Sequence, residues 1–283
     1  MISIVTVTHQ SSRHMTDYVS SFLSHHTAEE RRQVEFIVVE NSADPSAELY
    51  VQQLRDAGCR ATLKWTTNRG FGAGCNEGAS LASGTVLAFV NPDVRFTSCI
   101  VPIASAFGDT HWGTVRQLSS DRGGTYAFDV IPECKPIIAD VLRFHRFAHL
   151  IRPLYRYYFP VGAFFIVPRK LFMDVGGFDE RFFMYYEEAE LARRLHDRRG
   201  QPRYLSTVTI IHEGFGSQSD SDTTLRHEAR STVLYGQIIQ NPLFAQTRVR
   251  QLARLSMFVP QAKARLRLLK QAIVELSETD RAL

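Results

Sequence analysis

Cysteine is scarce in this chain and badly spaced for chemistry. Cys59, Cys75, Cys99 and Cys134 are the only four among 283 residues, and no two stand at C-x-x-C spacing. That argues against a zinc knuckle and a disulfide framework and fits reduced cytosolic thiols. Long apolar runs are missing too, since none approaches the roughly 20 residues that span a bilayer. The opening Met1-Ile2-Ser3-Ile4-Val5-Thr6-Val7-Thr8 lacks the basic leader of a signal peptide. After it, Thr8-His9-Gln10-Ser11-Ser12 is not the glycine- and lysine-rich phosphate loop that a nucleotidyltransferase would want. The net charge of +4 is mild, although the basic residues are unevenly spread.

With 44% hydrophobic and 22% charged residues, the composition is that of an ordinary globular protein. Its length suits one large α/β domain with an appendage, or two smaller domains. Ile2 to Thr8 and Val34 to Glu40 predict strands, with a crossover helix over Met15 to Leu23 between them. A helix over about Ala47 to Ala57 follows, with Ser46 as its N-cap. Ala61 to Thr66 predicts a third strand, Gly72 to Ala82 a helix of small residues, and Val86 to Val90 a fourth strand. Strand and helix alternating at this spacing indicate a doubly wound, mainly parallel sheet.

The fourth strand organises the rest. Val86-Leu87-Ala88-Phe89-Val90 is apolar throughout, as befits a strand buried on both faces. Asn91-Pro92-Asp93 then ends it, because proline donates no ladder hydrogen bond and keeps the residue before it out of the helical region. Asn91 and Asp93 are left at the C-terminal edge of a sheet, where open α/β folds bind ligands. Such an oxygen pair can hold a hard divalent cation, and through it a diphosphate. The same residues also make an ordinary strand-ending turn. Asn68-Arg69-Gly70-Phe71-Gly72-Ala73-Gly74-Cys75-Asn76 is not a dinucleotide fingerprint. That motif follows a first strand and needs a third glycine where Asn76 stands. Its glycines either let a phosphate or nucleoside approach or let the helix pack closely on the sheet.

Beyond Phe107 the pattern weakens. Asp121 to Gly124 predicts a turn and Tyr126 to Ile131 a strand. Asp140 to Pro160 interleaves bases and aromatics, among them Arg143, Arg146, Arg152, Tyr155, Arg156 and Tyr157. This composition suits nucleic acid, a membrane-interface or acceptor-binding loop, or a solvated flap. A buried strand at Gly162 to Pro168 and a helix over Arg169 to Val175 follow, the helix closed by Gly176-Gly177. Phe182-Phe183-Met184-Tyr185-Tyr186 then lead into Glu187-Glu188-Ala189-Glu190, the start of a further helix. Glu190 has helical partners in Arg193 and Arg194, and Asp179 suits a turn. Glu187 and Glu188 keep no such duty, and apolar surroundings would raise a carboxyl pKa. Tyr204 to Ile211 is the last expected strand, and His212 follows it.

From Thr223 the chain reads as helical, broken near Pro242 and Pro260. Arg248, Arg250, Arg254, Lys263, Arg265, Arg267 and Lys270 have no acidic residue among them. Leu252, Leu255, Phe258, Leu266, Leu269 and Ile273 form an apolar stripe, which suits either an anionic membrane or packing on the body. The organisation expected is residues 1–222 as the α/β domain and 223–283 as a helical C-terminal extension.

Taken in order, a set of motifs resembles the family 2 glycosyltransferases of GT-A fold, in the branch that includes bacterial rhamnosyltransferases. They are Val38-Val39-Glu40-Asn41-Ser42, Asn68-Arg69-Gly70-Phe71-Gly72 with Asn76, and Val90-Asn91-Pro92-Asp93-Val94. Gly162-Ala163-Phe164-Phe165, Gly176-Gly177-Phe178-Asp179-Glu180-Arg181-Phe182-Phe183, Glu187-Glu188 and His212 continue the set, which covers about Ile2 to Ser217. The resemblance implies that Glu40, Thr8 and His9 lie at the nucleoside, with Asn68, Gly72 and Asn76 in the nucleotide-sugar set. It also implies that Asn91 and Asp93 bind metal and sugar nucleotide, that His212 completes the metal site, and that Glu188 is the general base beside Glu187. Asn91 stands where an Asp is usual, and Glu40 and Glu188 are each one methylene longer than the usual Asp. The implied activity is metal-dependent (Mg²⁺ or Mn²⁺), inverting transfer of a sugar to a cell-envelope glycan or lipid-linked acceptor. The preferred donor is dTDP-rhamnose, nucleic acid is not expected as a partner, and the location is cytoplasmic or peripheral on the inner face of the cell membrane. The alternative from a different class is a non-catalytic carbohydrate- or nucleic-acid-binding module, which would not hydrolyse sugar nucleotides.

Overall fold

Two strands buried along their whole length, β1 (Ile2–Thr8) and β2 (Val34–Glu40), anchor the parallel half of the main sheet. The computed structural model describes residues 1–119, 127–132, 158–214 and 222–279. The two strands run parallel in the register Ile2 to Val34 through Thr8 to Glu40. The edge strand β3 (Arg60–Trp65) extends the sheet on one side and β4 (Val86–Val90) on the other, both parallel. The remaining strands are β5 (Val94–Phe96), β6 (Gly113–Ser119), β9 (Phe164–Pro168) and β10 (Arg203–His212), and β7 (Phe128–Val130) pairs with β8 (Tyr158–Pro160) in a separate ribbon. The main sheet has eight strands in the order β3-β2-β1-β4-β9-β6-β10-β5. β9 is antiparallel to both neighbours and β5 antiparallel to β10, while β6 and β10 are parallel. The sheet is therefore mixed α/β and mainly parallel, with its first half as the alternation of strands and helices requires.

Because side chains alternate across a strand, successive residues feed two cores. Ile2, Ile4, Phe36, Val38, Val86 and Ala88 face α1 (Ser12–Ser24), α3 (Ser46–Asp56) and α5 (Pro102–Phe107). Val5, Val7, Ile37, Val39, Leu87 and Phe89 face α4 (Phe71–Leu81), α6 (Arg169–Asp174) and α7 (Glu187–Arg199). A short α2 (Ala28–Arg31) lies between α1 and β2. Ser46 is the first residue of α3 and not its cap: the Asp44 carboxylate accepts from its N–H at 3.0 Å and its hydroxyl at 2.7 Å. α6 ends as its glycines require, with Gly176 and Gly177 at φ of 86° and 69°.

β5 and α5 form in a stretch where no element was expected from the sequence, and β6 forms beyond Phe107, where the pattern weakens. The expected Tyr126–Ile131 strand shortens to β7. The turn at 121–124 and most of the basic, aromatic stretch before Tyr158 lie outside the described residues.

The C-terminal helices α8 (Asp222–Ile238), α9 (Phe244–Leu255) and α10 (Pro260–Thr279) bury Leu225, Leu252, Leu268, Leu269 and Ala272 among themselves. The apolar stripe thus forms the interior of this helical group, with the exception of Phe258. Tyr235 and Phe244 also share a cluster with Phe182 and Ala189. The extension is in this way packed onto the segment that precedes α7.

Candidate active site

The C-terminal ends of β1, β2 and β4 and the N-terminal end of the reversed β9 lie along one edge of the sheet, and the sequence-predicted residues gather there. Thr8 donates its hydroxyl to Glu40 at 2.6 Å, and the other Glu40 oxygen accepts the Ser42 N–H and hydroxyl at 2.5 Å each. Glu40 is buried, so it holds the 41–44 loop against β1. Exposed His9 meets Asn41 through Nδ1 at 2.9 Å, and Asn68 takes the Gly70 N–H at 3.1 Å. Thr8, His9, Glu40 and Asn68 are therefore joined in one polar rim.

The glycine turn divides into separate duties. A Cβ on Gly74 would stand 2.8 Å from Val7 Cγ1, and one on Gly78 would overlap Val5. These two glycines let α4 lie directly on β1. Gly70 has φ of 106°, and a Cβ there would be 2.7 Å from the Phe183 Cα. Gly72 lies against Phe178, with Glu187 Cβ 3.8 Å from where its own Cβ would be. Asn76 gives its amide to the Phe178 carbonyl at 2.9 Å and to Glu180 at 3.0 Å, and its oxygen accepts the Phe178 N–H at 2.9 Å. Those bonds tie α4 to the loop before α7 and leave its side chain little for a ligand.

Asp93 and His212 meet because β5 folds back onto β10, setting Val94 opposite His212. Their Oδ2 and Nε2 atoms stand 3.3 Å apart. Burial alone would raise the Asp93 carboxyl; the hydrogen bond and charge of His212 outweigh it and hold the group below the usual range, with His14 contributing. Asn91 donates its N–H to the Ala163 carbonyl at 3.1 Å, which places it beside the start of β9. Among the described residues, no group of three or more His, Cys, Asp or Glu comes together as a metal cluster. One carboxylate, one imidazole and a neighbouring amide still match the donors a divalent cation takes, with water and a ligand's phosphates filling the remaining positions.

Glu187 and Glu188 open α7 after an unusual turn in which Tyr185 and Tyr186 both adopt φ of 72°. Left-handed backbone at two successive tyrosines is costly and is held here by packing. Phe183 stacks on His227 at 4.4 Å, Ser231 donates to the Met184 carbonyl at 2.7 Å, and Thr232 donates to the Tyr186 hydroxyl at 3.1 Å. All three supports come from α8. The helix then turns its adjacent acids to different surroundings. Glu187 is buried near Gly72, with Oε2 lacking a hydrogen-bond partner among the described residues. Burial, then the charge of Glu188, pushes its carboxyl well up. Glu188 is half-buried and its carboxylate lies against the backbone of Gly162, where a Cβ would overlap it. Burial foremost, then Asp129 on β7, pushes Glu188 up to about 7. Such a group is a usable base near neutrality.

The competing acids are occupied. Glu190 forms a bidentate pair with Arg194, and Asp179 a bidentate pair with Arg181. Gly162 and Asp129 escaped the sequence reading as neighbours of Glu188. Gly162 was visible only as part of a motif, and Asp129 lay in the stretch where periodicity fails. Their approach to Glu188 depends on strand pairing that local sequence does not encode.

A curled sheet with helices on both faces and this polar edge at its strand ends is the GT-A fold. PcManGT, a mannosyltransferase from Pyrobaculum calidifontis solved with GDP-Man and Mn²⁺, superposes with a TM-score of 0.58 at 13% identity, over 100% of this chain and 75% of its own. S. aureus TarS superposes with a TM-score of 0.54 at 17% identity, over 82% of this chain but only 39% of TarS. The sequence matches Glycosyl transferase family 2 over residues 3–176, and the chain belongs to that family. An N-acetylglucosaminyl-diphospho-decaprenol L-rhamnosyltransferase of Mycobacterium tuberculosis is 32% identical over 75 residues, which is 26% of this chain and 24% of that protein.

Proposed function

We propose that this chain is a metal-dependent, inverting glycosyltransferase that moves a sugar from a nucleotide donor to a hydroxyl of a lipid-linked or other cell-envelope glycan. The observation that carries the reading is Glu188: a carboxylate with no ion-pair partner among the described residues, raised to about 7, at the same edge of the sheet as Asn91 and Asp93. Gly162, which Glu188 touches, adjoins Ala163, whose carbonyl accepts from Asn91. Ionised Glu188 takes the proton of the acceptor hydroxyl as that oxygen bonds to the anomeric carbon. The bond to the nucleotide's diphosphate breaks on the opposite face, so one displacement inverts the anomeric centre. Asp93 and His212, with Asn91, would hold Mg²⁺ or Mn²⁺, and a bound cation supplies neutralisation of the departing diphosphate. Thr8, His9, Glu40 and Asn68 would border the nucleoside.

The mycobacterial relative's name, an L-rhamnosyltransferase acting on N-acetylglucosaminyl-diphospho-decaprenol, supports rhamnose as the sugar moved and a polyprenyl-diphosphate glycan as the acceptor, and we take dTDP-rhamnose as the preferred donor. Those in turn favour a position on the inner, cytoplasmic face of the cell membrane. The test is a sugar-nucleotide panel with and without Mg²⁺ or Mn²⁺, read by thermal shift and by slow donor hydrolysis. dTDP-rhamnose should stabilise the protein most, and only with metal. A preference for a UDP-hexose would reject the donor and keep the enzyme class. Absence of any binding or hydrolysis would reject the activity.

A further inference from the structure

The turn joining α9 to α10 presents Met257 at 71% and Phe258 at 81% exposure, side by side. It is a formed turn: Ser256 N–H bonds to Leu252 at 2.8 Å, and the N–H groups of Phe258 and Val259 both reach the Leu255 carbonyl, at 3.0 and 2.8 Å. Ala262, fully buried, anchors the start of α10 behind it. The two apolar side chains are thus held outward by an ordered backbone, in a region whose other large apolar residues are mostly packed inside.

The surrounding charge is of one sign. Between Pro242 and Val274 the chain has seven Arg or Lys and no Asp or Glu. Three of the seven serve the interior or its surface pairs. Arg248 is buried, donating to the Pro132 carbonyl at 2.5 Å, while Arg265 pairs with Glu228 at 3.5 Å and Arg267 with Asp222 at 2.8 Å. Arg250, Arg254, Lys263 and Lys270 are exposed and have no acidic partner among the described residues. Arg250 and Arg254 stand one helical turn apart at the end of α9, directly before the tip, and Lys263 lies in the first turn of α10, directly after it. An apolar point ringed by unpaired cations complements a surface with an apolar interior and an anionic face. No helix among the described residues is long and apolar enough to cross a membrane, so such contact would be peripheral.

We infer that the Ser256–Val259 turn docks on an anionic bilayer: Met257 and Phe258 enter the interfacial layer while Arg250, Arg254 and Lys263 contact lipid phosphates. This deepens the lipid-linked acceptor reading by naming the surface that would meet the membrane, and its test does not depend on sugar transfer. The occupant differs from that of the apolar stripe, which is already filled by neighbouring helices.

The experiment is co-sedimentation of the full chain with phosphatidylcholine vesicles, with or without about one third phosphatidylglycerol, at low and high salt. Wild type should bind the anionic vesicles and be partly released by salt. The pair Met257→Ser, Phe258→Ser should weaken partitioning by at least about tenfold. The pair Arg250→Glu, Arg254→Glu should remove the preference for phosphatidylglycerol. In Phe258→Trp, emission should shift to the blue on adding vesicles, an increment that wild type lacks. Donor hydrolysis should be unchanged in every variant; its absence from wild type would overturn the enzyme reading alone. Wild type that ignores anionic vesicles, equal binding by the serine pair, or an unshifted Phe258→Trp emission would each overturn the docking surface. So would a wild-type dimer that the serine pair dissolves, which would make the tip a contact with a second copy.

Discussion

Nε2 of His212 stands 3.3 Å from Oδ2 of Asp93, and the contact exists because three residues after Asp93 pair antiparallel with the end of β10. Asp93→Asn removes the charge and keeps the shape. It should abolish metal-supported nucleotide affinity, measured by calorimetry with and without Mn²⁺, while leaving the melting temperature near wild type. His212→Ala should weaken the same affinity less, because water can replace one ligand of a hard cation.

The adjacent glutamates should separate in kinetics. Glu188→Gln cannot accept a proton, and kcat should fall by about 10²–10⁴ with donor affinity little changed. Glu187→Gln should keep substantial turnover, since its carboxyl is buried beside Gly72 and burial disfavours its charged form. A dead Glu187 variant beside an active Glu188 variant would reverse the assignment.

The pH profile follows from the raised Glu188. A base must be ionised, so kcat should rise with pH through about 7 and level off above it. Asp129 opposes that ionisation; Asp129→Asn lowers the Glu188 pKa and should move the rising limb to lower pH. Stability carries the opposite sign, because a carboxyl raised by folding favours the folded state below its folded pKa and loses that contribution as pH rises through it.

Gly162→Ala tests the seat of the base. The new methyl would overlap the Glu188 carboxylate, the movable end of a side chain. Turnover should drop about tenfold or more through displacement of the base, with a small change in melting temperature. A large loss of stability with normal kcat would show that the glycine serves the fold.

Gly78→Ala is the converse case. Its methyl would overlap Val5 and stand 3.1 Å from Val39 Cγ2, both fixed in central strands. About 1–3 kcal/mol of stability should be lost, as overpacking in a core usually costs, and denaturant titration would measure it.

Much of this architecture is written locally. β4 is an unbroken apolar run and β1 and β2 are dominated by β-branched and other apolar residues, as strands buried on both faces require, and the helices between them force parallel neighbours. Glu190 with Arg194 is a helical i,i+4 pair, so its structural duty could be read from spacing alone. Gly176-Gly177 stops α6 for an equally local reason.

Tertiary structure decided what spacing leaves open. β6 interleaves Arg116 and Gln117 with its apolar residues, and its burial comes from neighbours far along the chain. The glycines of α4 could have served a phosphate; Gly74 and Gly78 instead face β1, because packing fixes the rotation of that helix. The apolar stripe of the tail suited a membrane as well as a protein core, and the packing of α8, α9 and α10 filled it. Glu187 and Glu188 are chemically alike and adjacent. Burial of Ala189, Leu191 and Leu195 sets the turn of α7, and that rotation sends one carboxylate inward and lays the other against Gly162. A sequence lists both acids; only the packed helix determines which can meet a substrate.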